Sequence, residues 1–399
     1  MAAMGIITKF TNCRILRDHK IFWEDLWVRD GKVIDPLKLF YVEKKHYDRV
    51  VDLEGALVSP GFIDLQINGG FGVDFSHDLL KDPSGLDKVA KGILAHGVTS
   101  FCPTIVTSKA HVYQRILPLL KRRKGGIWGA EILGAHVEGP FISAEKKGAH
   151  SEADICEFEN EISTVQQIYG DLNNIMIVTL APEKKNALKV VNALSSQGIV
   201  VSVGHSMASY VVAEEAVLNG ANLITHLFNA MLPFHHRDPG IVGLLGMDSK
   251  STVYYGVIAD GIHTHHSTLR IAYKSHPEGV VLVTDAISAM GLGDGNHYLG
   301  EKVIQIKNGR ACIAGTSTLC GSVATMIDCI SHFIRAIRCP LVEALEAASM
   351  HPAAVLGLET KKGTLNYGSD ADFVVLDDSL SILSTWIRGE CVYSKKTEK

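Results

Sequence analysis

Between residues 61 and 285, short apolar runs alternate with amphipathic stretches. The runs are GFIDLQI, TSFCPTIV, EILGAHVE, IMIVTLAP, IVVSVGH, LITHLFN, TVYYGVIAD and VVLVTD, eight in all. Each has the length and β-branched content of a buried strand. The stretches between them have helical spacing. In KNALKVVNALSSQG, apolar residues fall at 187, 188, 190, 191 and 194, close to one helical face, before a glycine suited to a C-cap. Two more helical stretches, SVATMIDCISHFIRAI and LVEALEAASMHPAAVLGL, follow the last run. Eight strand–helix units in about 300 residues predict a (β/α)8 barrel, a TIM-like α/β fold. An open doubly wound sheet would bring a glycine-rich phosphate turn after its first strand, and NGGFG is a poor match to G-x-G-x-x-G.

The two ends read differently. IITKFTNCRIL, EDLWVRDGKVI and DRVVDLEG near the start, and TLNYGSDADFVVLD and LSTWIRGECVYS near the end, read as short strands with turns. The expected organisation is a small β-sandwich built from residues 1–57 and 361–399, flanking a barrel over 58–360.

Composition narrows the class. The chain has 399 residues, 46% hydrophobic and 21% charged, with a net charge of −4, values of a globular protein with a sizeable core. No basic face for nucleic acid is indicated. The basic run KRRKGG at 121–126 reads as the charged end of a helix. Eight cysteines without C-x-x-C spacing point to free thiols in a reducing compartment. No signal peptide or membrane span is apparent. These features predict a cytoplasmic protein.

Barrels of this type place chemistry at the C-terminal ends of the strands. There stand Gln66 and Asn68 after the first run, His136 and Glu138 at the end of the third, and His205 at the end of the fifth. His226 and Asn229 lie in the sixth, Asp260 and His263 end the seventh, and Asp285 ends the eighth. Singly, a histidine here is usually structural and an aspartate usually caps a helix. Together, one carboxylate and two histidines at neighbouring strand ends make a three-ligand site with an open position, the layout of a catalytic zinc centre. A further carboxylate across the mouth then acts as general base.

The motifs HVEGPF, VGHS, THLFNAM, ADGIH and VTDA, in this order and spacing, resemble the N-acetylglucosamine-6-phosphate deacetylase family of the amidohydrolase superfamily. The likeness runs from PGFIDLQINGG to the terminal DADFVVLD. It implies hydrolysis of N-acetylglucosamine 6-phosphate to glucosamine 6-phosphate and acetate by a homodimer. It implies one divalent ion, zinc or alternatively iron, cobalt or manganese, on Glu138, His205 and His226. Asp285 would be the general base and acid towards a metal-activated water, with His150 at the substrate carbonyl. Ala149, Asn229, Ala230, Arg237, Asp260, His263 and the segment Leu319, Cys320 and Gly321 would contact substrate, with Arg237 or His263 reaching the neighbouring subunit's phosphate site. Cys320 departs from the small Ala or Ser usual there. Gln66, Asn68 and His136 would line or support the site; His136, two residues before Glu138, points to the same side of its strand.

Two other readings are weaker. Dinuclear cyclic amidases of the dihydropyrimidinase type resemble this chain in PGFID, but use His-x-His on the first strand and a carbamylated lysine on the fourth. Gln66, Asn68 and TLAPE stand at those places. A catalytically dead barrel would have lost a ligand or the base, and all four residues are present.

Overall fold

Eight parallel strands form the centre: β1 (Phe62–Ile67), β2 (Val98–Val106), β3 (Ala135–Glu138), β4 (Ile175–Leu180), β5 (Val200–Val203), β6 (Leu223–Ile224), β7 (Tyr254–Ile258) and β8 (Val280–Val283). The computed structural model describes residues 5–248, 252–300 and 302–395. Neighbours in sequence are neighbours in space, from β1 on β2 to β7 on β8, all parallel. The seam between β8 and β1 is joined just past the end of β8. There Asp285 N–H donates to Gln66 O at 2.8 Å, and Asn68 N–H to Ala286 O at 2.7 Å. The expected barrel is therefore present, nearly closed. Its strands are buried along their lengths, as IMIVTL and VVLV show, because helices cover the outside.

Helix Ala187–Ser196 buries Ala187, Val190, Val191 and Leu194, the face the spacing indicated. The stretch LVEALEAASMHPAAVLGL is not one helix. It divides into Leu341–Glu346 and Met350–Val355, because Pro352 has no N–H for a continuous ladder and sits instead in the first turn of the second piece. The basic run is not a helix end either. Helix Ala110–Ile116 and a short 3-10 turn, Leu117–Leu119, finish before it. Arg123 then stacks on Trp128, 3.4 Å from the ring centroid, within the loop leading to Glu131.

Both ends of the chain meet in one six-stranded sheet. Leu57–Pro60 pairs with Phe373–Leu376 on one side and Arg14–Arg17 on the other. A four-stranded sheet of Ile7–Thr11, Leu26–Arg29, Lys32–Val33 and Arg49–Asp52 accompanies it. Between them Phe10 sits edge-on to Phe373 and Trp386, with centroids 5.1 and 4.9 Å away. Lys362, buried, holds Asp372 at 2.7 Å, Glu131 at 2.8 Å and Asp370 at 3.3 Å, tying the end sheet to the barrel side.

One element was not anticipated. Gly295–Leu299, Lys302–Lys307 and Arg310–Ile313 form a three-stranded antiparallel sheet between β8 and helix Met326–Ile337. Its sequence signal is the alternation KVIQIK, in which only the two isoleucines are buried. Among the described residues, no helix is long and apolar enough to cross a membrane.

Candidate metal centre and active-site cavity

Glu138 ends β3, His205 follows β5 by two residues, and His226 follows β6 by two. Barrel closure brings their polar atoms to one point. His205 Nε2 lies 3.2 Å and His226 Nε2 3.1 Å from Glu138 Oε1, and the two nitrogens are 3.1 Å apart. The backbone turns sharply to allow it. His205, His226 and Asp285 have φ of 48°, 28° and 46°, left-handed values that non-glycine residues seldom adopt and that collect at functional sites. For the same reason the sixth strand is shorter than its sequence suggests. It stops at Ile224, and THLFNA is a turn in which Phe228 and Ala230 also have positive φ.

The donor set fits a divalent cation. His205 Nδ1 gives its proton to the carbonyl of Lys146 at 2.7 Å, so Nε2 carries a lone pair. That lone pair faces a carboxylate oxygen and a second imidazole nitrogen, a set of electron-pair donors that a divalent cation would hold together. Among the described residues, His226 Nδ1 is buried without a hydrogen-bond partner. Burial opposes a charge on Glu138, yet the His205 and His226 rings beside it hold it well below the usual carboxylate range. Burial likewise opposes a charge on His226, and the bond and charge of Glu138 outweigh it and raise its pKa. Two histidines and a carboxylate with an open side form a catalytic-type site.

Gln66 links this cluster to Asp285. Its Nε2 donates to Glu138 Oε1 at 2.8 Å and lies 3.4 Å from Asp285 Oδ1, which also accepts from Asn68 Nδ2 at 2.7 Å. Burial, and then the charge of Glu138, pushes the Asp285 carboxyl up to about 6. Gly321 packs against this residue. At its φ of +77°, a Cβ would stand 2.8 Å from Asp285 O, so no other residue fits without strain.

His150 Nε2 stands 3.9 Å from Glu138 Oε2. With Glu138 and His205 it also forms a compact donor group. Its partners separate it from the other two histidines. Nδ1 accepts from Thr107 N–H at 3.4 Å and contacts Thr107 Oγ1 at 2.8 Å, so the ring proton belongs on Nε2. Burial, and then the neighbouring His205, pushes His150 down to about 3, keeping it neutral. A neutral ring with Nε2–H is a donor, not a ligand. His136 does not reach the cluster: its two nitrogens contact Leu65 O at 2.9 Å and Thr179 Oγ1 at 2.7 Å.

A cavity of about 990 Å³ opens over this point. Asn68, Glu138, Ala149, His150, His205, His226, Asn229, Ala230, His263, Asp285, Leu319, Cys320 and Gly321 all line it. Asp260 turns away from the cavity, accepting from His263 Nδ1 at 2.7 Å and from two backbone N–H groups. Burial works against its charge, but His263 and those N–H groups keep Asp260 below the usual range. Asp260 thus orients His263 through Nδ1. Arg237 is outside, exposed in the loop after Leu232. Thr107 and Lys302 also line the cavity, and the sequence reading passed over both. Thr107 was legible as the polar end of the second strand run. Lys302 belongs to the inserted sheet and donates to Ala149 O at 2.7 Å.

The sequence profile of the amidohydrolase family matches residues 57–392. The N-acetylglucosamine-6-phosphate deacetylase of Danio rerio is 56% identical over 393 residues, covering 98% of this chain and 97% of that protein. The crystal structure of N-acetylglucosamine-6-phosphate deacetylase from Pasteurella multocida superposes with a TM-score of 0.85 at 29% identity, covering 98% of this chain and all of that one. An aspartate-to-alanine mutant of the Mycobacterium smegmatis enzyme, in complex with N-acetyl-D-glucosamine 6-phosphate, gives 0.83 at 29% identity, with 98% of this chain and 100% of that chain covered. With likeness of this degree over almost its whole length, the chain belongs to the N-acetylglucosamine-6-phosphate deacetylase family of amidohydrolases.

Proposed function

We propose that the protein hydrolyses N-acetyl-D-glucosamine 6-phosphate to D-glucosamine 6-phosphate and acetate, with one divalent ion held by Glu138, His205 and His226. The observation that carries this reading is the meeting of those three residues within about 3 Å, with Asp285 tied to them through Gln66. Bound there, the ion supplies a Lewis acid that lowers the pKa of water from 15.7 to about 7. Zinc is the proposed ion, since two imidazoles and a carboxylate suit it; iron, cobalt and manganese are alternatives set by availability.

The chain's own residues do the rest. Asp285 takes the proton from the attacking water, then returns it to the departing amine, serving first as base and then as acid. Asn68 holds Oδ1 of Asp285, leaving Oδ2 for the proton. His150 donates from Nε2 to the amide oxygen as negative charge builds on it. His263, oriented by Asp260, meets the phosphate together with Asn229 and the backbone at Ala230. Arg237 makes no ion pair among the described residues and lies in an exposed loop beside Phe234, which is 64% exposed. This placement supports a homodimer in which Arg237 completes the phosphate site of the other subunit. Guanidinium suits that task because its planar fork binds phosphate bidentately. All eight cysteines are unpaired, which supports a reducing, cytoplasmic setting.

The test is acetate release from N-acetylglucosamine 6-phosphate by purified protein supplied in turn with zinc, cobalt, manganese and iron. No release with any of the four would refute the reading.

A further inference from the structure

Below the three candidate ligands runs a line of four hydrogen bonds that crosses the barrel interior. Ser202 Oγ lies 2.5 Å from Thr225 Oγ1, Thr225 Oγ1 2.7 Å from Thr179 Oγ1, and Thr179 Oγ1 2.7 Å from His136 Nε2. His136 Nδ1 ends the line on Leu65 O at 2.9 Å. The side chains belong to β5, β6, β4 and β3, Thr225 just past the end of its strand, and the carbonyl to β1. None of the four is more than 2% exposed.

The direction of the line is fixed by chemistry. A carbonyl only accepts, so His136 Nδ1 carries the proton. In a neutral ring Nε2 then accepts, so Thr179 donates to it. With its hydrogen used, Thr179 accepts from Thr225, which accepts from Ser202. Each hydroxyl oxygen except that of Ser202 both gives and receives, and one arrangement of protons satisfies the whole line.

Its members stand next to the site. His136 is two residues before Glu138, Ser202 three before His205, Thr225 one before His226, and Leu65 one before Gln66. Thr179 pairs across the sheet with Glu138 on one side and Ser202 on the other. The line therefore fixes the spacing of the strands that carry the ligands.

We propose that this line is a positioning network that holds Glu138, His205 and His226 at the separation the metal requires, so that metal affinity and coordination geometry depend on it. The inference rests on the metal reading above. Thr179 is the test position because valine keeps its shape and deletes its hydroxyl, while serine keeps the hydroxyl.

Metal dissociation is measured by competition with a chromophoric chelator, and geometry by the visible absorption of the cobalt(II)-loaded protein. Thr179→Val should weaken metal binding about 10- to 100-fold and alter the cobalt spectrum, as loss of a partner behind a ligand does. Thr179→Ser should keep both near the unsubstituted values. A purely structural role would lower the melting temperature of the metal-free protein and leave affinity and spectrum unchanged, and that result in a folded Thr179→Val overturns the proposal. If Thr179→Val does not fold, Ser202→Ala removes only the terminal donor. A smaller loss of affinity in the same direction supports the network, and none overturns it. Failure of the unsubstituted protein to bind one metal per chain would instead refute the metal reading itself.

Discussion

Gln66 donates a 2.8 Å hydrogen bond from Nε2 to Oε1 of Glu138, and the same nitrogen lies 3.4 Å from Oδ1 of Asp285. One neutral amide thus stands between two buried carboxylates that would repel each other if left in direct contact. Gln66→Leu keeps the length and removes the donor. Its expected effect is a fall in kcat of about 10- to 100-fold with KM little changed, because the amide orients groups that act on the reacting centre. Steady-state kinetics checks this, and a change confined to KM would place Gln66 at the sugar instead.

Asp285 gives the sharpest pH prediction. In the metal-free protein burial, and then the charge of Glu138, places its carboxyl at about 6. A divalent cation beside it favours the charged form and moves this value down. With Asp285 as the proposed base, its carboxylate is the active form, so kcat/KM should fall as pH drops, along a limb centred at or below pH 6. Asp285→Asn should lower kcat by about 100- to 10,000-fold and keep the metal bound. A variant that turns over at the normal rate, or a limb centred above pH 7, would assign the base elsewhere.

The sequence made the barrel readable because parallel strands buried on both faces appear as continuous apolar runs, such as IMIVTL. The same architecture made the rim readable, since Glu138, His205, His226 and Asp285 all lie in the C-terminal parts of such runs. What stayed hidden depends on closure. Thr179, Ser202 and Thr225 are ordinary strand residues until the barrel brings them within 2.7 Å of one another in turn. The break in the sixth strand was hidden because His226 takes a positive φ without the glycine that usually signals one. The inserted sheet was missed because its alternation is short and lies between two stronger signals.

Asp64 predicts how stability varies with pH. It is fully buried, and burial raises its pKa to about 7 although Thr284 Oγ1 donates to it at 2.6 Å. In the unfolded chain an aspartate titrates near 3.9. Between these values the native state holds a proton that the unfolded state has released, so stability should decline as pH rises from about 4 to 7, by on the order of 4 kcal/mol from this group. Asp64→Asn should flatten that slope in urea denaturation measured at pH 5 and pH 8. A slope equal to that of the unsubstituted protein would mean that Asp64 is ionised throughout.

Lys362 is surrounded by Glu131, Asp370 and Asp372, all within 3.3 Å. Lys362→Met fills the space but leaves Glu131 and Asp372 without their cation, while Asp370 keeps Lys32 at 2.7 Å. Removing one partner from a buried ion cluster costs about 3 to 5 kcal/mol, so a clear drop in melting temperature is expected. Activity per folded molecule should be unchanged, because the cluster lies outside the cavity lining. An unchanged melting temperature would show that the carboxylates are solvated or protonated.

Arg237 tests the phosphate site and the assembly together. It is exposed and absent from the cavity of its own chain, whereas His263 and Asn229 line that cavity. If Arg237 serves the neighbouring subunit, Arg237→Ala should raise KM for N-acetylglucosamine 6-phosphate by about 10- to 100-fold, the worth of one charge-assisted contact, and leave kcat nearly intact. Activity on unphosphorylated N-acetylglucosamine should hardly change, so any preference for the phosphorylated sugar narrows. Mixing Arg237→Ala with Asp285→Asn subunits gives the decisive measurement. A mixed dimer pairs one site that has both an intact base and the partner's Arg237 with one site that lacks both, so part of the activity at low substrate should return. No recovery in a demonstrated mixed dimer would mean that each chain uses its own arginine or none.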